Sequence, residues 1–481
     1  MIQRAPAKIW EHSNGAAVSE LMLPEIRSDS CALQTAVLHA ALEFETILAA
    51  AAIRADIPFN AIKIDQSEIH ATRKILIATG HQPVIYHPGL SEKESFACQL
   101  AQKALPNAIA INFILDLDEQ ECRSFEEPII ENGLPITVPY QLSAKTNAGL
   151  PVSQTVEAQL VNENKTPITK KILQTYRKLK GEPIAVANTV IRRSLKGCAI
   201  LHVPFSLLIK NPAVQEILTA ILRTERLSEI YNAALESFRS ERKIKNLANP
   251  FPNLLNNELP FWVWSSASVS ASVSASAVAT RRVLKVGESL AANEYLVPRG
   301  ALVSLFLRSF CCDIFIHGLG GKSYEPAVEL LINNLNVSLL PGLNAARYLA
   351  APYFCVSANQ YPFNECINEY ELLMQRADLV RSGPSHIPAL LAAFPWDILT
   401  RDKIIFLALQ KSALIAELQE VKVKGGAVST KELGIKIKAC DAELKSIIES
   451  NPAISAALER LKTLQLLEST LYRRNFPFWY S

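Results

Sequence analysis

The chain has 481 residues, about three times the roughly 150-residue prior for one domain, so two or three structural units are expected. Hydrophobic residues make up 49% of the chain and charged residues 20%, which supports a large core and excludes overall disorder. The 49 basic and 46 acidic residues give a net charge of only +3, so we expect no nucleic-acid partner.

We expect a cytoplasmic protein without a membrane partner or a membrane-spanning helix. No run of about 20 uncharged apolar residues occurs, which is the length a helix needs to cross a bilayer. Residues 1–15 lack the apolar middle region of a signal peptide. The nine cysteines are scattered without a CxxC pair, so we expect buried, reduced thiols rather than disulfides or a zinc site.

The first part of the chain alternates helical and strand patterns. Residues 32–55 are rich in Ala and Leu and predict a packed helix. Residues 74–79 and 108–115 are short apolar runs typical of buried strands, with a helical stretch at 91–105 between them. This order predicts a βαβ unit and therefore a parallel sheet.

The middle of the chain is less regular. Residues 128–160 hold several Pro, Gly and Asn residues and indicate irregular or β-rich structure. Residues 198–205 predict another strand, and a long helical region at 212–245 ends at the turn-rich segment 249–253. The Ser, Ala and Val repeat at 265–280 is of low complexity, and we interpret it as an insertion or flexible loop rather than a strand.

A second strand-to-helix pattern follows. Residues 301–312 predict a buried helix, 313–317 a strand, 318–323 a tight glycine-rich loop and 324–335 a helix. Pro326 would lie in the first turn of that helix, where proline is tolerated.

The C-terminal part has a different composition. Two amphipathic stretches, 403–423 and 430–470, flank a Lys-Gly-Gly turn and predict a helical hairpin or an antiparallel coiled coil. The Asn-Pro pair at 451–452 should break the second stretch. The aromatic tail at 472–480 is expected to pack on the main body, because exposing so many rings is unfavourable.

The loop after the first predicted strand is the first candidate site. Ligands of open parallel sheets bind beyond the carboxyl ends of the strands, where helix N-termini offer N–H groups to anions. Gly80, Gln82 and His87 are therefore candidate ligand contacts. His81 is our candidate general acid or base, because imidazole titrates near neutral pH. The alternative is a polar loop with structural hydrogen bonds.

Acidic residues follow the next predicted strand. Clustered carboxylates such as Asp116, Asp118, Glu119 and Glu121 can bind magnesium, orient an ammonium group or act as a general base. We select Asp116 and Asp118 as candidate catalytic residues that orient an amine or His81. A solvated acidic loop is the alternative.

The third candidate site is the glycine-rich turn. A strand that leads into such a turn and then a helix suits a phosphate or carboxylate cradle. The candidate ligand contacts are His317, Gly318, Gly320, Gly321 and Lys322, with the lysine as a point charge. Both the P-loop and the dinucleotide-binding patterns lack one required glycine here, so neither ATP nor NAD is identified. A tight structural turn is the alternative.

These motifs resemble those of the bacillithiol synthases, a family of cysteine-adding ligases. The strand, Thr-Gly-His-Gln-Pro motif and helix at 79–83 resemble the family's strand, TGQQ motif and helix, with His81 in place of the first glutamine. The acidic segment 116–121, without the family's histidine, and the glycine turn 318–321, without its proline, follow in the same order. The chain is also similar over 74–340 to a set of bacterial proteins related to that family.

The resemblance implies an α/β fold with a Rossmann-like parallel-sheet core and a C-terminal helical hairpin or coiled coil. We expect an N-terminal helical segment at 1–70, packed on the core. The core would cover 71–400, with the low-complexity segment at 265–280 inserted. The hairpin and aromatic tail would cover 401–481, and the hairpin is a candidate homodimer interface.

Our leading functional hypothesis is a ligase-like enzyme that condenses a small amino-acid-type donor with a polar, anionic metabolite. The sequence leaves the cofactor unknown, with a nucleotide or Mg²⁺ as candidates, and predicts no metal ligand set. One alternative is a non-catalytic interaction protein with a degenerate α/β core and a working coiled coil. Another is a sugar- or phosphate-processing transferase. The enzyme hypothesis requires that segments near 80, 117 and 320 meet around one hollow at the edge of the sheet.

Overall fold

The computed structural model divides into two compact units, in which unit 1 includes residues up to 127 and 138–360, and unit 2 includes 128–137 and 361–474. Unit 2 begins before residue 401, where the sequence prediction placed the C-terminal region. The structure describes residues 33–64, 73–85, 88–103, 105, 107–118, 122–143, 150, 152, 154–156, 166–195, 199–265, 280–337, 350–356, 363–423 and 427–472. Several predicted features lie outside the described residues: His87, Glu119, Glu121, most of the low-complexity segment and most of the aromatic tail.

Unit 1 combines helices with parallel and antiparallel strands. Its described helices are α1 (Gln34–Arg54), α2 (Pro88–Lys103), α3 (Pro167–Lys178), α4 (Ile184–Leu195), α5 (Phe205–Leu208), α6 (Pro212–Leu222), α7 (Leu227–Arg242), α8 (Ala301–Phe306) and α9 (Leu319–Val337). The described strands of the chain are β1 (Ile75–His81), β2 (Ala108–Ile114), β3 (Ser124–Glu131), β4 (Leu134–Gln141), β5 (Leu201–Pro204), β6 (Glu258–Ser265), β7 (Thr280–Lys285), β8 (Glu294–Pro298), β9 (Ile314–His317) and β10 (Tyr353–Cys355).

A parallel sheet forms the centre of unit 1, with the strand order β10-β9-β1-β2-β5. Strand β1 pairs in parallel with β2 on one side and with β9 on the other. The βαβ unit and the parallel sheet predicted from the sequence are therefore confirmed. The strand order changes direction at β1, because the chain continues to β2 and β5 on one side and later returns to β9 and β10 on the other. Such a switch point leaves a crevice beyond the carboxyl ends of the two central strands.

The central strands are apolar along their length because both faces of the sheet are covered. On one face, Ile77 and Ile314 pack with Phe96 and Leu100 of α2. On the other face, Leu76, Ala78, Ile111 and Phe113 join the largest apolar cluster, which also contains residues of α1, α7 and α8. Burial on both faces explains why the sequences at 74–79 and 108–115 are apolar at successive positions and do not alternate between apolar and polar residues.

A second sheet has the order β7-β6-β8 and is antiparallel. Its central strand β6 contains the aromatic segment 260–264. The sequence analysis did not predict this sheet, because β7 is largely polar and has only one buried residue. The long helical region predicted at 212–245 is divided into α6 and α7 by a turn in which Arg226 has a left-handed backbone, with φ 56°.

The glycine-rich segment differs from its prediction. The tight loop predicted at 318–323 is wrong for most of its length, since α9 begins at Leu319 and contains both Gly320 and Gly321. Pro326 lies inside α9 rather than in its first turn. Glycine disfavours helix when local propensity alone decides, but here the packing of α9 overrides it. The helix predicted at 301–312 is confirmed as α8, which continues into a π-helical turn at Leu307–Cys311.

Helix α1 is long and apolar enough to cross a membrane by length and composition, and it alone among the described helices passes that test. However, 56% of its most apolar window is buried inside the protein. Glu45 of α1 is also buried and pairs with Arg193 of α4 at 2.5 Å. These contacts are typical of a core helix in a soluble protein. The cytoplasmic location stays a prediction.

Residues 128–137 of unit 2 belong to strands β3 and β4, whereas its part from 363 to 472 is helical where the structure describes it, which confirms a helical C-terminal region. Its described helices are α10 (Asn364–Ser382), α11 (Ile387–Ala393), α12 (Ile398–Val423), α13 (Ala427–Glu449), α14 (Pro452–Leu466) and α15 (Glu468–Leu471). Lys403 pairs with Glu443 at 2.8 Å and Lys411 with Asp441 at 2.7 Å, so α12 and α13 run antiparallel. The break predicted at 451–452 is confirmed, because α13 ends before it and α14 begins at the proline.

Asn451 should be important for the start of α14. Its Oδ1 accepts hydrogen bonds from the backbone N–H groups of Ala453 and Ile454, and its Nδ2 donates to the carbonyl of Pro395. We expect Asn451→Ala to lower the unfolding free energy of unit 2 by about 1–2 kcal/mol, as measured by urea unfolding. The neighbouring variant Ser450→Ala is the control and should change it by less than about 0.5 kcal/mol. Equal effects of the two substitutions would contradict the capping role.

Candidate functional site

A cavity of about 430 Å³ lies at the carboxyl ends of β1 and β9, within unit 1. We call it the sheet-edge cavity, and its lining includes Gly80, Leu117, Asp118, His317 and Tyr324. These residues come from the end of β1, the loop after β2, the end of β9 and α9. The volume lies in the range of about 300–1,000 Å³ that is usual for small-molecule sites. The cavity therefore occupies the place where the strand order predicts a crevice.

Four of the predicted site residues meet in this cavity. Gly80, Gln82, Asp118 and His317 all contribute to its lining. Segments near 80, 117 and 317 therefore lie around one hollow, as the enzyme hypothesis requires. The glycine turn contributes through His317 at its start rather than through the glycines themselves.

His317 is held in place by a buried carboxylate. Its Nε2 lies 2.9 Å from Oε1 of Glu325, and its Nδ1 lies 3.2 Å from the hydroxyl of Tyr324. Glu325 also accepts hydrogen bonds from Ser304 and from Arg308. Nε2 makes no hydrogen bond despite this short distance, so the imidazole is held by Tyr324 at Nδ1 and lies against the carboxylate at Nε2. His317, Tyr324 and Ser304 all line the cavity.

Burial and charge set the protonation of this group. Burial lowers the pKa of His317, although the carboxylate of Glu325 acts in the opposite direction. Burial would raise the pKa of Glu325, but the charges of His317 and Arg308 outweigh it and lower that pKa to about 2. Burial raises the pKa of Tyr324 far above its ordinary value. At neutral pH the site therefore holds an ionised carboxylate, a neutral imidazole and a protonated phenol.

Arg308 supplies the positive charge that balances Glu325. It lies in the π-helical turn after α8 and is almost completely buried. Its Nη2 contacts Glu329 at 2.6 Å and donates to the carbonyl of Ala351 at 2.9 Å. Its guanidinium also lies 4.6 Å from the ring centroid of Tyr353. The sequence analysis did not single out Arg308, Glu325 or Tyr324, because no local motif marks an ion pair between separate helices.

Asp118 lies on the more exposed side of the cavity. Its Oδ2 accepts a hydrogen bond of 2.5 Å from Nε2 of Gln82, and its Oδ1 lies 3.8 Å from Nη1 of Arg281. Two segments that the sequence analysis treated as separate candidates are thus joined by one hydrogen bond. Asp118 is placed to orient a ligand group, and the predicted orientation of His81 by Asp118 stays a prediction.

Two arginines flank Trp262, which also lines the cavity. The guanidinium carbons of Arg281 and Arg299 lie 4.0 and 4.5 Å from the indole centroid. Arg299 lines the cavity as well, and its Nη1 donates to Glu258 at 3.1 Å. Cation–π contacts of this kind fix both the indole and the guanidinium planes. No local sequence pattern indicates that the tryptophan lies between two arginines.

The side chain of His81 takes part in a different cavity. A small polar cavity of about 20 Å³ is lined by His81, Lys93, Asn112, Arg192 and His202 among others, and not by Gly80. Successive side chains of a strand point to opposite faces, so His81 and Gly80 face different cavities. The role of His81 as general acid or base stays a prediction, but the structure does not place it in the sheet-edge cavity.

Asp116 also lies apart from the sheet-edge cavity lining. It is buried, and its carboxylate accepts hydrogen bonds from the backbone N–H of Ser206 at 2.9 Å and from the hydroxyl of Ser206 at 2.5 Å. Burial raises its pKa to about 6, although the bonds from Ser206 oppose this shift. These contacts give Asp116 a structural task, which is to hold the first turn of α5.

The remaining predicted contacts of the glycine turn lie around α9. Gly320 and Lys322 are exposed, and neither lines the sheet-edge cavity. Gly318 does not line it either. Gly321 is buried, and a Cβ at this position would overlap with Cβ and Cγ of His317. The glycine at 321 is therefore required for close packing of α9 against the end of β9, rather than for an anion cradle.

No site for either candidate cofactor is found among the described residues. Across the ranges that the structure describes, no group of three His, Cys, Asp or Glu side chains could hold a metal ion. The carboxylates of Asp116 and Asp118 are bonded to Ser206 and Gln82, respectively. Gly320 and Lys322 do not form a phosphate cradle that opens into the sheet-edge cavity. We therefore derive no chemical step through magnesium or a nucleotide.

No protein-family model matches the chain, and no curated protein matches it significantly in sequence. The resemblance to bacillithiol synthases rests on the motifs described above and stays a prediction.

Two neighbouring glycines test the packing of α9 on His317. We expect Gly321→Ala to lower the unfolding free energy by about 2 kcal/mol or more, because the added methyl overlaps the imidazole. Gly320→Ala is the matched control, since a Cβ there meets nothing within 4 Å. It should be neutral or stabilise the helix by up to about 1 kcal/mol. Equal results for the two variants in chemical unfolding would contradict the close approach.

His202 should make unit 1 sensitive to acid. Burial, followed by the charges of Arg192 and Arg193, lowers its pKa from 6.5 to about 3. Below pH 6.5 the unfolded chain binds a proton at this residue that the folded chain does not, so folding stability falls as the pH falls. Between pH 7.5 and 4.5 we expect His202 to account for a loss of about 2–3 kcal/mol.

This contribution can be measured by comparing urea unfolding of the parent and of His202→Leu at both pH values. The variant should lose less stability on acidification than the parent. The same pH dependence in both proteins would show that the imidazole is protonated normally in the folded state.

Proposed function

We propose that unit 1 is an enzyme that binds a small organic metabolite in the sheet-edge cavity. The observation that carries the proposal is the convergence of Gly80, Gln82, Asp118 and His317 around one cavity at the switch point of the parallel sheet. This position is where open α/β sheets bind their ligands. On the same basis we propose that the core is Rossmann-like. The order of its strands changes direction at β1, as it does at the centre of a Rossmann sheet.

We assign proton transfer to His317 rather than to His81. The imidazole of His317 lines the cavity, is neutral at neutral pH and is oriented by Glu325. Both ring nitrogens face protein groups, so a proton from the ligand reaches the imidazole through the hydroxyl of Tyr324. The carboxylate of Glu325 then stabilises the charge on the ring. The hydroxyl of Tyr324 lines the cavity, and it takes a proton from the ligand as it gives its own to Nδ1 of His317. His81 is the rival assignment, because the sequence motif favours it.

For the reaction, we propose condensation of an amino-acid-type donor with an anionic metabolite. One support is that the motifs occur in the same order as in bacillithiol synthases. The other is that two of them, at 79–83 and 116–121, contribute residues to the lining of the cavity. Asp118 would orient the amine of the donor, since its carboxylate lies on the exposed side of the cavity. A transferase that acts on sugars or phosphates in the same cavity is the alternative reaction. The use of the helical unit for homodimerisation stays a prediction.

Paired histidine variants test the proposal. The purified protein is incubated with pools of amino acids and organic acids, with and without ATP and Mg²⁺, and new products are detected by mass spectrometry. Once a product is found, we expect His317→Asn to reduce kcat by about 100-fold or more, the usual contribution of a general acid or base. His81→Asn should retain kcat within about threefold, because His81 lies outside the cavity.

The opposite result would transfer the acid–base role to His81 and the small polar cavity. Thermal unfolding of each variant identifies any loss that comes from misfolding. A parent protein that stays folded and forms no product from any pool would contradict the condensation, while ligand binding would still test the cavity itself.

A further inference from the structure

The lining of the sheet-edge cavity is mostly apolar. Three phenylalanines take part, namely Phe205, Phe251 and Phe315, and several Leu, Val and Pro side chains join them. The charged groups in the lining are Asp118 and Arg299. An apolar wall of this kind favours a ligand whose body is apolar, because burial of such surface contributes roughly 25 cal/mol per Å².

The polar groups deep in the cavity already contact other groups of the protein. The hydroxyl of Ser304 donates to Glu325, and both ring nitrogens of His317 face protein groups. The hydroxyl oxygen of Tyr231 accepts a hydrogen bond from the backbone N–H of Ala301 at 3.2 Å. A polyhydroxylated ligand would therefore leave most of its hydroxyl groups unpaired, at a cost of about 1–3 kcal/mol for each.

Arg299 offers the clearest unused polar contact. Its Nη1 donates to Glu258, and within the described part of the chain no partner is found for its Nε and Nη2. The guanidinium is held in plane by Trp262, and its side chain is largely buried. The N–H groups of Nε and Nη2 form one free edge of an oriented guanidinium, and this edge matches the two oxygens of a carboxylate. Asp118 is bonded to Gln82 and does not compete for this position.

We propose that the ligand of the sheet-edge cavity is a carboxylic acid with an aromatic or branched aliphatic body. Its carboxylate binds Arg299, and its body packs against the phenylalanine-rich wall. This inference rests on the proposed function and specifies the anionic metabolite, whose body is then apolar rather than polar as the sequence suggested. A sugar acid carries the same head group but does not suit the wall.

Three probes distinguish the contribution of the carboxylate from that of the apolar body: phenylpropanoate, phenylpropanol and gluconate. In calorimetric titration of the full-length protein, we expect phenylpropanoate to bind best, phenylpropanol about tenfold or more weaker, and gluconate undetectably. Arg299→Gln should weaken phenylpropanoate about 10- to 100-fold and leave phenylpropanol nearly unchanged. Arg282→Gln is the matched control, because Arg282 is also paired with glutamates but does not line the cavity.

A second variant keeps the test decisive if Arg299→Gln does not fold. Val303 lines the cavity, so Val303→Phe should weaken phenylpropanoate and phenylpropanol alike by filling the space of the body. Stronger binding of gluconate, or binding of phenylpropanoate that neither variant changes, would overturn the ligand class. Titration does not depend on turnover. A protein that binds the acid at Arg299 but forms no product would retain this inference and lose the condensation reaction.

Discussion

The buried carboxylate of Glu325 is the constraint on which the rest of the site depends. An ionised group without solvent contact is stable only when it is paired and hydrogen-bonded, and removing one partner of a buried pair typically costs about 3–5 kcal/mol. Glu325 is paired with Arg308 and with His317. Arg308 in turn bonds to Ala351, just before β10. One charge therefore fixes α9, the π-helical turn, the end of β9 and the edge strand relative to one another. The extra residue of the π-helical turn is consistent with this role, because such turns are frequent at functional sites.

Strand β1 separates two environments with different chemistry. Gly80 faces the apolar sheet-edge cavity, while Thr79 and His81 face the small polar cavity, as the alternation of a strand requires. Both sides still act on the same backbone, since Nζ of Lys93 donates to the carbonyl of Gly80 at 3.1 Å. Burial lowers the pKa of Lys93 to about 8, although the charge of Glu94 opposes this shift. The backbone at Gly80, which lines the sheet-edge cavity, is thus bonded to a buried amine that lines the small polar cavity.

The sequence was most informative where periodicity and chain order decide the structure. The alternation of apolar runs and helical patterns predicted the parallel sheet, and the rule for carboxyl ends of strands placed Gly80, Asp118 and His317 at one edge. The sequence does not show toward which face of the sheet each side chain points. That difference in face is what places Gly80, but not His81, in the sheet-edge cavity. The pairing of Arg308 with Glu325 joins two separate helical segments and leaves no local pattern. The early start of α9 also depends on a tertiary contact, because glycine lacks helix propensity of its own.

Two buried groups near the sheet have opposite effects on stability in acid. The folded pKa of Asp116 is about 6, above its ordinary value of 3.8, so the folded chain binds this proton more tightly than the unfolded chain. Its contribution to stability therefore rises as the pH falls from about 6 to 3.8. The folded pKa of His202 is about 3, below its ordinary value of 6.5, so its contribution falls over much of the same interval. The two shifts partly cancel, because burial disfavours the anion of one group and the cation of the other.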